Sequence, residues 1–356
     1  MRLLFTSNDP GSAQQNNAVA NLLNLHNAYD TACITSKVSS KFYSSLFKEK
    51  LYLDHDKRHH TKKIKNYINY FKPDFIFLGI SPSKKSIDFI ASEIAIDLNI
   101  RTASIQDYYG WTGSFNEEVK PDYFFVFDEY AKKLTVDSSI CSSQKVIVTG
   151  SPKHYSYANH LKSWEKQVKT IEIANSELIF FLQPLFIEGI KSNLINFCKS
   201  LKKINSGYKL NIKPHPLDKK SEDLRSISND FQLNIIDDKY SIEMFFLYFS
   251  NIINCFSTVA YDYYYITNFL INIKNSRLIN LLIGEDIFKS IKKLNFDIRM
   301  TPQYKIGVNI KTKKSLDEKL RLIFNLSNSP NLNYKSKNLT PGNNPVDKIE
   351  NILKGV

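Results

Sequence analysis

Cysteine is scarce in this 356-residue chain, and the four it has, Cys33, Cys141, Cys198 and Cys255, stand far apart with no CxxC partner. That spacing argues against a disulfide frame or a zinc site and fits buried thiols in a reducing compartment. Also missing are a GxGxxG fingerprint, a P-loop, an EF-hand loop, a serine-nucleophile elbow and any internal repeat. Met244 to Ile273 is apolar and aromatic with Asp262 its sole charge, yet Ser250, Asn251, Asn254, Ser257 and Thr258 interrupt it. It therefore reads as buried helices and strands in succession and not as a membrane span. The start, MRLLFTSNDPGS, enters a polar loop too soon for a signal peptide or anchor and reads as a first strand, so a cytoplasmic location is expected.

Positive charge is in excess, with 48 Lys and Arg against 35 Asp and Glu and a formal net charge of +13. No basic block dominates, and Lys is abundant together with Asn, Ile, Tyr and Phe, the set that AT-rich codons favour. Nucleic acid is not an expected partner. The excess instead fits a peripheral position on the anionic inner face of a membrane.

The length predicts two domains, each able to bury its own core, at roughly 100–200 residues per domain. Residues 1–153 alternate β-rich runs with amphipathic helical ones: RLLFTS, TACITS, a polar stretch ending in LYLD, KPDFIFLGI, TASIQD, PDYFFVFD and KVIVTGS. Continuous apolar runs such as FIFLGI suit a parallel sheet covered on both faces. Residues 154–175 read as a helical linker, and residues 176–330 restart the pattern with ELIFFLQ, YKLNIKPHP, FQLNIID, NIINCF and FLINIK. Residues 331–356 are a tail and helix. The predicted class is α/β, with two Rossmann-like, doubly wound domains facing a cleft. Ligands in such sheets bind beyond the carboxyl ends of the strands, so polar residues placed there are the candidates.

Lys213-Pro214-His215-Pro216 ends one strand, and its prolines lock an extended segment that holds His215 at the strand end. His215 there suits a hydrogen bond to phosphate; an incidental surface turn is the alternative. Ser257 and Thr258 follow NIINCF and open a helix whose N–H groups suit an anion, or simply cap it. Asp262, a turn further on, suits ribose hydroxyls or is a solvated acid among tyrosines. With Gln183, which ends ELIFFLQ, these residues are placed to converge on one nucleotide. Asn8, Asp9, Gly11 and Ser12 form a loop after the first strand that either approaches a donor closely or is a plain loop. Asp128-Glu129 reads as a helix-start acid pair, Gly150 to Pro152 as a turn, and His59-His60 with His55 as a solvated helix start and not a metal cluster.

The order of a polar residue after the first strand, then KPHP, then Ser-Thr with an acid one turn later, resembles the donor domain of GT-B glycosyltransferases. It is most similar to bacterial groups with an HP motif: sialyltransferases and polysialyltransferases, Kdo transferases and CDP-glycerol glycerophosphotransferases. KPDFIFLGISPS, TASIQDYYGW, PDYFFVFDEYAKK and KVIVTGSPKHY resemble the acceptor domains of that superfamily, so the likeness runs from about residue 70 to residue 270. It implies that His215 contacts the donor phosphate, with Lys213 and Pro214 beside it, that Ser257 and Thr258 bind phosphate, and that Asp262 holds ribose. Asp107 becomes the catalytic base of an inverting, metal-independent transfer that needs no cofactor. The implied donor is a nucleotide sugar, CMP-linked by preference, and the implied acceptor a saccharide or lipid-linked saccharide of a bacterial surface. The acidic-acidic-Gly motif of sialyltransferases is absent, since Ile187-Glu188-Gly189 holds one acid. Two alternatives stand beside transfer: a non-hydrolysing 2-epimerase of the UDP-GlcNAc type, and a non-catalytic scaffold for polyanions or membranes.

Overall fold

The computed structural model describes residues 1–24, 29–44, 46–54, 60–168, 178–204, 210–218, 221–236, 240–267, 277–293, 304, 307–325 and 345–355. The chain divides into two compact units, Met1–Tyr157 with Lys337–Val356, and Ala158–Ser336.

In the first unit β1 (Arg2–Ser7), β2 (Asp30–Ser36), β3 (Glu49–Leu53), β4 (Phe75–Leu78), β5 (Arg101–Ile105), β6 (Tyr123–Val126) and β7 (Val146–Val148) form one sheet. The order is β3-β2-β1-β4-β5-β6-β7, and every pairing is parallel. A sheet covered on both faces needs apolar side chains at successive positions, which is why FIFL of β4 is buried throughout. Phe5 of β1 stacks on Phe77 of β4 with ring centroids 4.8 Å apart. Helix Pro10–Leu23 packs Ala13, Val19 and Leu23 into this core, and the C-terminal helix Pro345–Leu353 returns to it with Val346, Ile349 and Leu353.

The second unit repeats the arrangement with β8 (Leu178–Phe181), β9 (Asn211–Lys213), β10 (Asn234–Ile235), β11 (Asn251–Asn254), β12 (Arg277–Leu281) and β13 (Val308–Ile310). Its order is β10-β9-β8-β11-β12-β13, again all parallel. Helices Ile190–Ile204 and Lys313–Asn325 cover it with Leu194, Phe197, Leu201, Leu316 and Leu320. FLINIK lies outside the described residues, and FQLNIID yields a strand of only two residues, Asn234–Ile235. The apolar stretch after Met244 is a 3-10 turn, β11 and the short helix Val259–Tyr265. Among the described residues no helix is long and apolar enough to cross a membrane.

Both units share one topological fact: the chain winds outward from the first strand, then crosses back to its other side. The switch points fall between β1 and β4 and between β8 and β11, where a doubly wound sheet leaves a crevice at its carboxyl edge.

Beside the second switch point runs a chain of amides. Asn254, Asn280 and Asn309 are in register across β11, β12 and β13. Asn254 donates to Asn280 and Asn280 to Asn309, each at 3.0 Å, and Asn309 donates to the carbonyl of Tyr304 at 2.7 Å. Asn254 and Asn280 are fully buried, so each link spares an amide a desolvation penalty. Replacing Asn280 by Ala strands the amide of Asn254 and should lower the unfolding free energy by about 2 kcal/mol. Asn309→Ala, at a partly exposed position that water reaches, should cost less. Urea midpoints at unchanged m-value read both, and equal costs would contradict the account.

Candidate functional site

At the first switch point the loop after β1 meets the loop after β4. Asp88, on the first turn of helix Ile87–Asp97, is buried and ties them together. It accepts hydrogen bonds from Thr6 Oγ1 at 2.7 Å, the Asn8 N–H at 3.0 Å, the Gly79 N–H at 3.1 Å and Ser81 Oγ at 3.0 Å. Burial pushes its carboxyl up to about 6 and the charge of Asp9 adds to the rise, while the donors Thr6, Asn8 and Ser81 oppose it. The carbonyl of Asn8 accepts from Ser36 Oγ at 2.6 Å and Ser39 Oγ at 3.0 Å, so the peptide units on both sides of Asn8 are held. Asp9 stands at the N-cap of helix Pro10–Leu23 but makes no side-chain cap; its carboxylate instead shares the single Ser81 hydroxyl proton with Asp88.

Asp107 follows β5 and turns toward this loop. Ser12 Oγ lies 3.4 Å from its Oδ2 and also donates to the Ile80 carbonyl at 2.9 Å. A Cβ at Gly11 would collide with Asp107 Oδ2, so only glycine allows that approach. Although Asp107 as a residue is partly exposed, its Oδ1 is buried and has no hydrogen-bond partner among the described residues. Burial, then the neighbouring charge of Asp9, pushes its carboxyl up to about 7; its own backbone N–H, then Lys153 and Ser12, pull the other way. A carboxyl with that value is available at neutral pH both as proton donor and as acceptor. Lys153 is placed by its own N–H, which donates to Gln15 Oε1 at 3.2 Å. The structure thus brings Asn8, Asp9, Gly11, Ser12 and Asp107 together, and adds Asp88, Ser81 and Lys153.

In the second unit β8 lies between β9 and β11, so Gln183, the Lys213–His215 segment and Ser257-Thr258 leave three adjacent strands at one edge. Gln183 Oε1 accepts from the Phe256 N–H at 2.8 Å, and the Ser257 N–H donates to Asn254 Oδ1 at 3.1 Å, which joins this loop to the amide chain. Lys213 is buried, with Nζ 5.9 Å from the centroid of the Phe245 ring. His215 Nδ1 accepts from the Leu217 N–H at 3.3 Å, which leaves the proton of the neutral ring on Nε2, a donor suited to phosphate. Asp218, not anticipated from sequence, closes the His215 turn with its N–H on the His215 carbonyl at 2.9 Å. Its Oδ2 accepts from the Leu185 N–H at 2.9 Å, and burial raises its carboxyl.

Some expectations need correction. The helix after Ser257-Thr258 is short, Val259–Tyr265, and Thr258, its N-cap, makes no side-chain cap. Asp262 is 4% exposed, which rules out a solvated acid. His60 is buried and not solvated, while His55 and His59 lie outside the described residues. Asp128 caps its helix through the Ala131 N–H at 2.8 Å and accepts from Tyr109 OH at 2.9 Å. Among the described residues no group of three His, Cys, Asp or Glu could hold a metal ion.

No family model and no curated protein matches the chain. Solved structures do. UDP-GlcNAc 2-epimerase from Methanocaldococcus jannaschii superposes with a TM-score of 0.62 at 14% identity over 100% of both chains. The UDP-GlcNAc 2-epimerase from Neisseria meningitidis, bound to UDP-GlcNAc, gives 0.63 at 15% over 99% of this chain and 100% of its own. The wall teichoic acid polymerase TagF, soaked with CDPG, gives 0.59 at 11% over 100% of this chain and 88% of its own. At such identities the likeness establishes the fold: two Rossmann-like units of the GT-B type.

The raised carboxyl of Asp107 has a thermodynamic signature. The folded state holds its proton up to about pH 7, whereas the ordinary value is 3.8, so its contribution to stability is full below pH 3.8 and lost as pH rises toward 7. Asp107→Asn, a mimic of the protonated acid, should therefore raise the Tm at pH 8 and leave it nearly unchanged at pH 4. Melting curves across that range check this, and a Tm difference that does not grow with pH would contradict it.

Proposed function

We propose that this protein is an enzyme acting on a nucleotide-activated sugar, with the nucleotide held at the β8 and β11 edge and Asp107 as the group that moves a proton. The observation that carries the proposal is the end-to-end superposition on 2-epimerases together with polar and ionisable side chains at both switch points. Two Rossmann orders alone support many chemistries; a carboxyl that burial of its oxygens pushes up to about 7, beside a glycine that yields space to it, supports a part in proton transfer.

Epimerisation of a UDP-GlcNAc-type sugar is the favoured reaction. Inverting C2 by proton transfer breaks the C2–H bond, and its electron pair forms a C1=C2 bond as UDP leaves C1; return of the proton to the opposite face of C2 and of UDP to C1 completes the inversion, and Asp107 suits one of the two proton steps. Transfer to a hydroxyl is the second reading, favoured by the superposition on the teichoic acid polymerase and by the KPHP and Ser-Thr order. There Asp107 would take the proton of the acceptor hydroxyl while His215 and Lys213 meet the leaving phosphate. Ligands named for the solved relatives are UDP, UDP-GlcNAc and CDPG, so a diphosphate-linked sugar is favoured over the CMP-linked one that the motifs imply.

Incubation with UDP-GlcNAc alone, followed by proton NMR in deuterium oxide, separates the two reactions. Epimerisation should produce a second anomeric signal and deuterium at C2. No change alone, with UDP release only when a saccharide acceptor is added, selects transfer. If none of UDP, CDP, CMP and GDP raises the Tm, nucleotide processing itself is refuted.

Asp107→Ala should lower kcat by about a hundredfold or more, the usual scale of a lost acid or base. Gly11→Ala, whose methyl displaces Asp107 Oδ2, should approach the same kcat with KM changed only a few-fold. Wild-type kcat in the Gly11 variant would detach Asp107 from the chemistry.

A further inference from the structure

We infer that Phe186 is the residue on which the nucleobase stacks, an inference that rests on the nucleotide reading above. Phe186 is 75% exposed, more than any other large hydrophobic side chain among the described residues. Scattered apolar side chains at a surface need no explanation, but this one stands on a loop that is held at nearly every step.

The Leu182 N–H donates to the Lys213 carbonyl at 3.0 Å, Gln183 is bound to Phe256, and the Leu185 N–H is bound to Asp218. The Ile187 N–H closes a turn on the Pro184 carbonyl at 3.0 Å, and Ser290 Oγ donates to the Glu188 carbonyl at 2.8 Å. Gly189, at φ +90°, lies so close to helix Glu285–Lys293 that a Cβ would meet the Ile287 nitrogen at 2.8 Å. Leu185 enters the core and Ile187 packs against it, so the turn between them turns the phenyl of Phe186 outward to water. A loose loop would fold such a ring onto neighbouring apolar surface; this loop is pinned in a way that prevents it.

Asp218 supplies the chemistry of the neighbourhood. Its carboxylate fastens the Phe186 turn through the Leu185 N–H and its own N–H closes the turn that carries His215, so ring and imidazole ride on two turns joined by one residue. An imidazole donor and the Lys213 cation fit an anion, and a phenyl on the adjoining turn fits a flat ring. A nucleotide carries both. Stacking on phenyl is tolerant of base identity, so Phe186 contributes affinity for nucleotides and not choice among them.

Calorimetric titration of UDP, UDP-GlcNAc and pyrophosphate into the wild type, Phe186→Ala and Phe186→Trp tests this. Phe186→Ala should weaken UDP about tenfold and leave pyrophosphate unchanged, while Phe186→Trp should stay within about twofold of the wild type for UDP. Because the side chain is exposed, both variants should keep the wild-type Tm. Equal UDP affinity in wild type and Phe186→Ala overturns the inference with the nucleotide reading intact. Weakening of UDP-GlcNAc without weakening of UDP also overturns it, by assigning the ring to the sugar. A wild type that binds no nucleotide overturns the reading and the inference together.

Discussion

The hydrogen-bonded carboxylate of Asp88 is the constraint on which the first unit's site depends. Parallel strands do not touch beyond their ends, so the loops after β1 and β4 have no sheet ladder to hold them. A buried carboxylate can accept several donors at once, and its desolvation is tolerable only when it does. Asp88 takes the Asn8 and Gly79 N–H groups, one from each loop, and the Thr6 and Ser81 hydroxyls. Gly79 has to be glycine for the same reason: a Cβ there would fall 2.8 Å from Asp88 Oδ1. With the crevice fixed, Ser12, Gly11 and Asp9 stand where they shape the surroundings of Asp107.

The second unit meets the same topological demand with neutral amides. From Ser257 N–H through Asn254, Asn280 and Asn309 to the Tyr304 carbonyl, donors and acceptors run head to tail in one direction. Such chains polarise one another, and each link restrains the next. Gln183 adds a cross-tie from β8 to the same loop. The difference suits the chemistry proposed for each edge. A carboxylate near a bound phosphate would repel it, whereas amides fix a backbone without adding charge. Asp218, the acid that does serve this edge, is buried and spent on the Leu185 N–H.

What could be read from sequence follows from what each element must bury. β4 and β8 lie inside their sheets with both faces covered, and FIFL and LIFF announce them as apolar runs. β3 is an edge strand with Tyr52 exposed, and β10 is a two-residue edge strand, so neither bears that mark. Strand-end polar residues such as Asp9, Asp107, Gln183 and His215 stand out because they break an apolar run. Asp88 and Asp218 do not stand out, because the loops that they tie in are remote in sequence: Asn8 lies 80 residues from Asp88 and Leu185 lies 33 from Asp218. The amide chain is hidden too: asparagine within a strand reads as a weakness until its in-register neighbour is known. Phe186 looks like core in a sequence, and only the pinned turn beneath it shows that it faces water.

Three carboxylates at the first switch point would be unstable together if all were ionised without partners, and the structure treats each differently. Asp88 is surrounded by donors and stays the most nearly satisfied despite its burial. Asp9 is only partly buried and is drawn off its helix cap to Ser81. Asp107 receives a long contact from Ser12 and the pull of its own backbone N–H, and its Oδ1 has no hydrogen-bond partner among the described residues. The cost of ionisation therefore collects on Asp107, beside the charge of Asp9 and within reach of Lys153. A proton on Asp107 relieves the repulsion with Asp9, and its loss leaves a base that Lys153 steadies. Asp88, at about 6, and Asp107, at about 7, both change state near neutral pH, but Asp88 is fully enclosed by donors whereas Asp107 is partly exposed, so Asp107 is the one that suits the proposed proton transfer while Asp88 holds the loops in place.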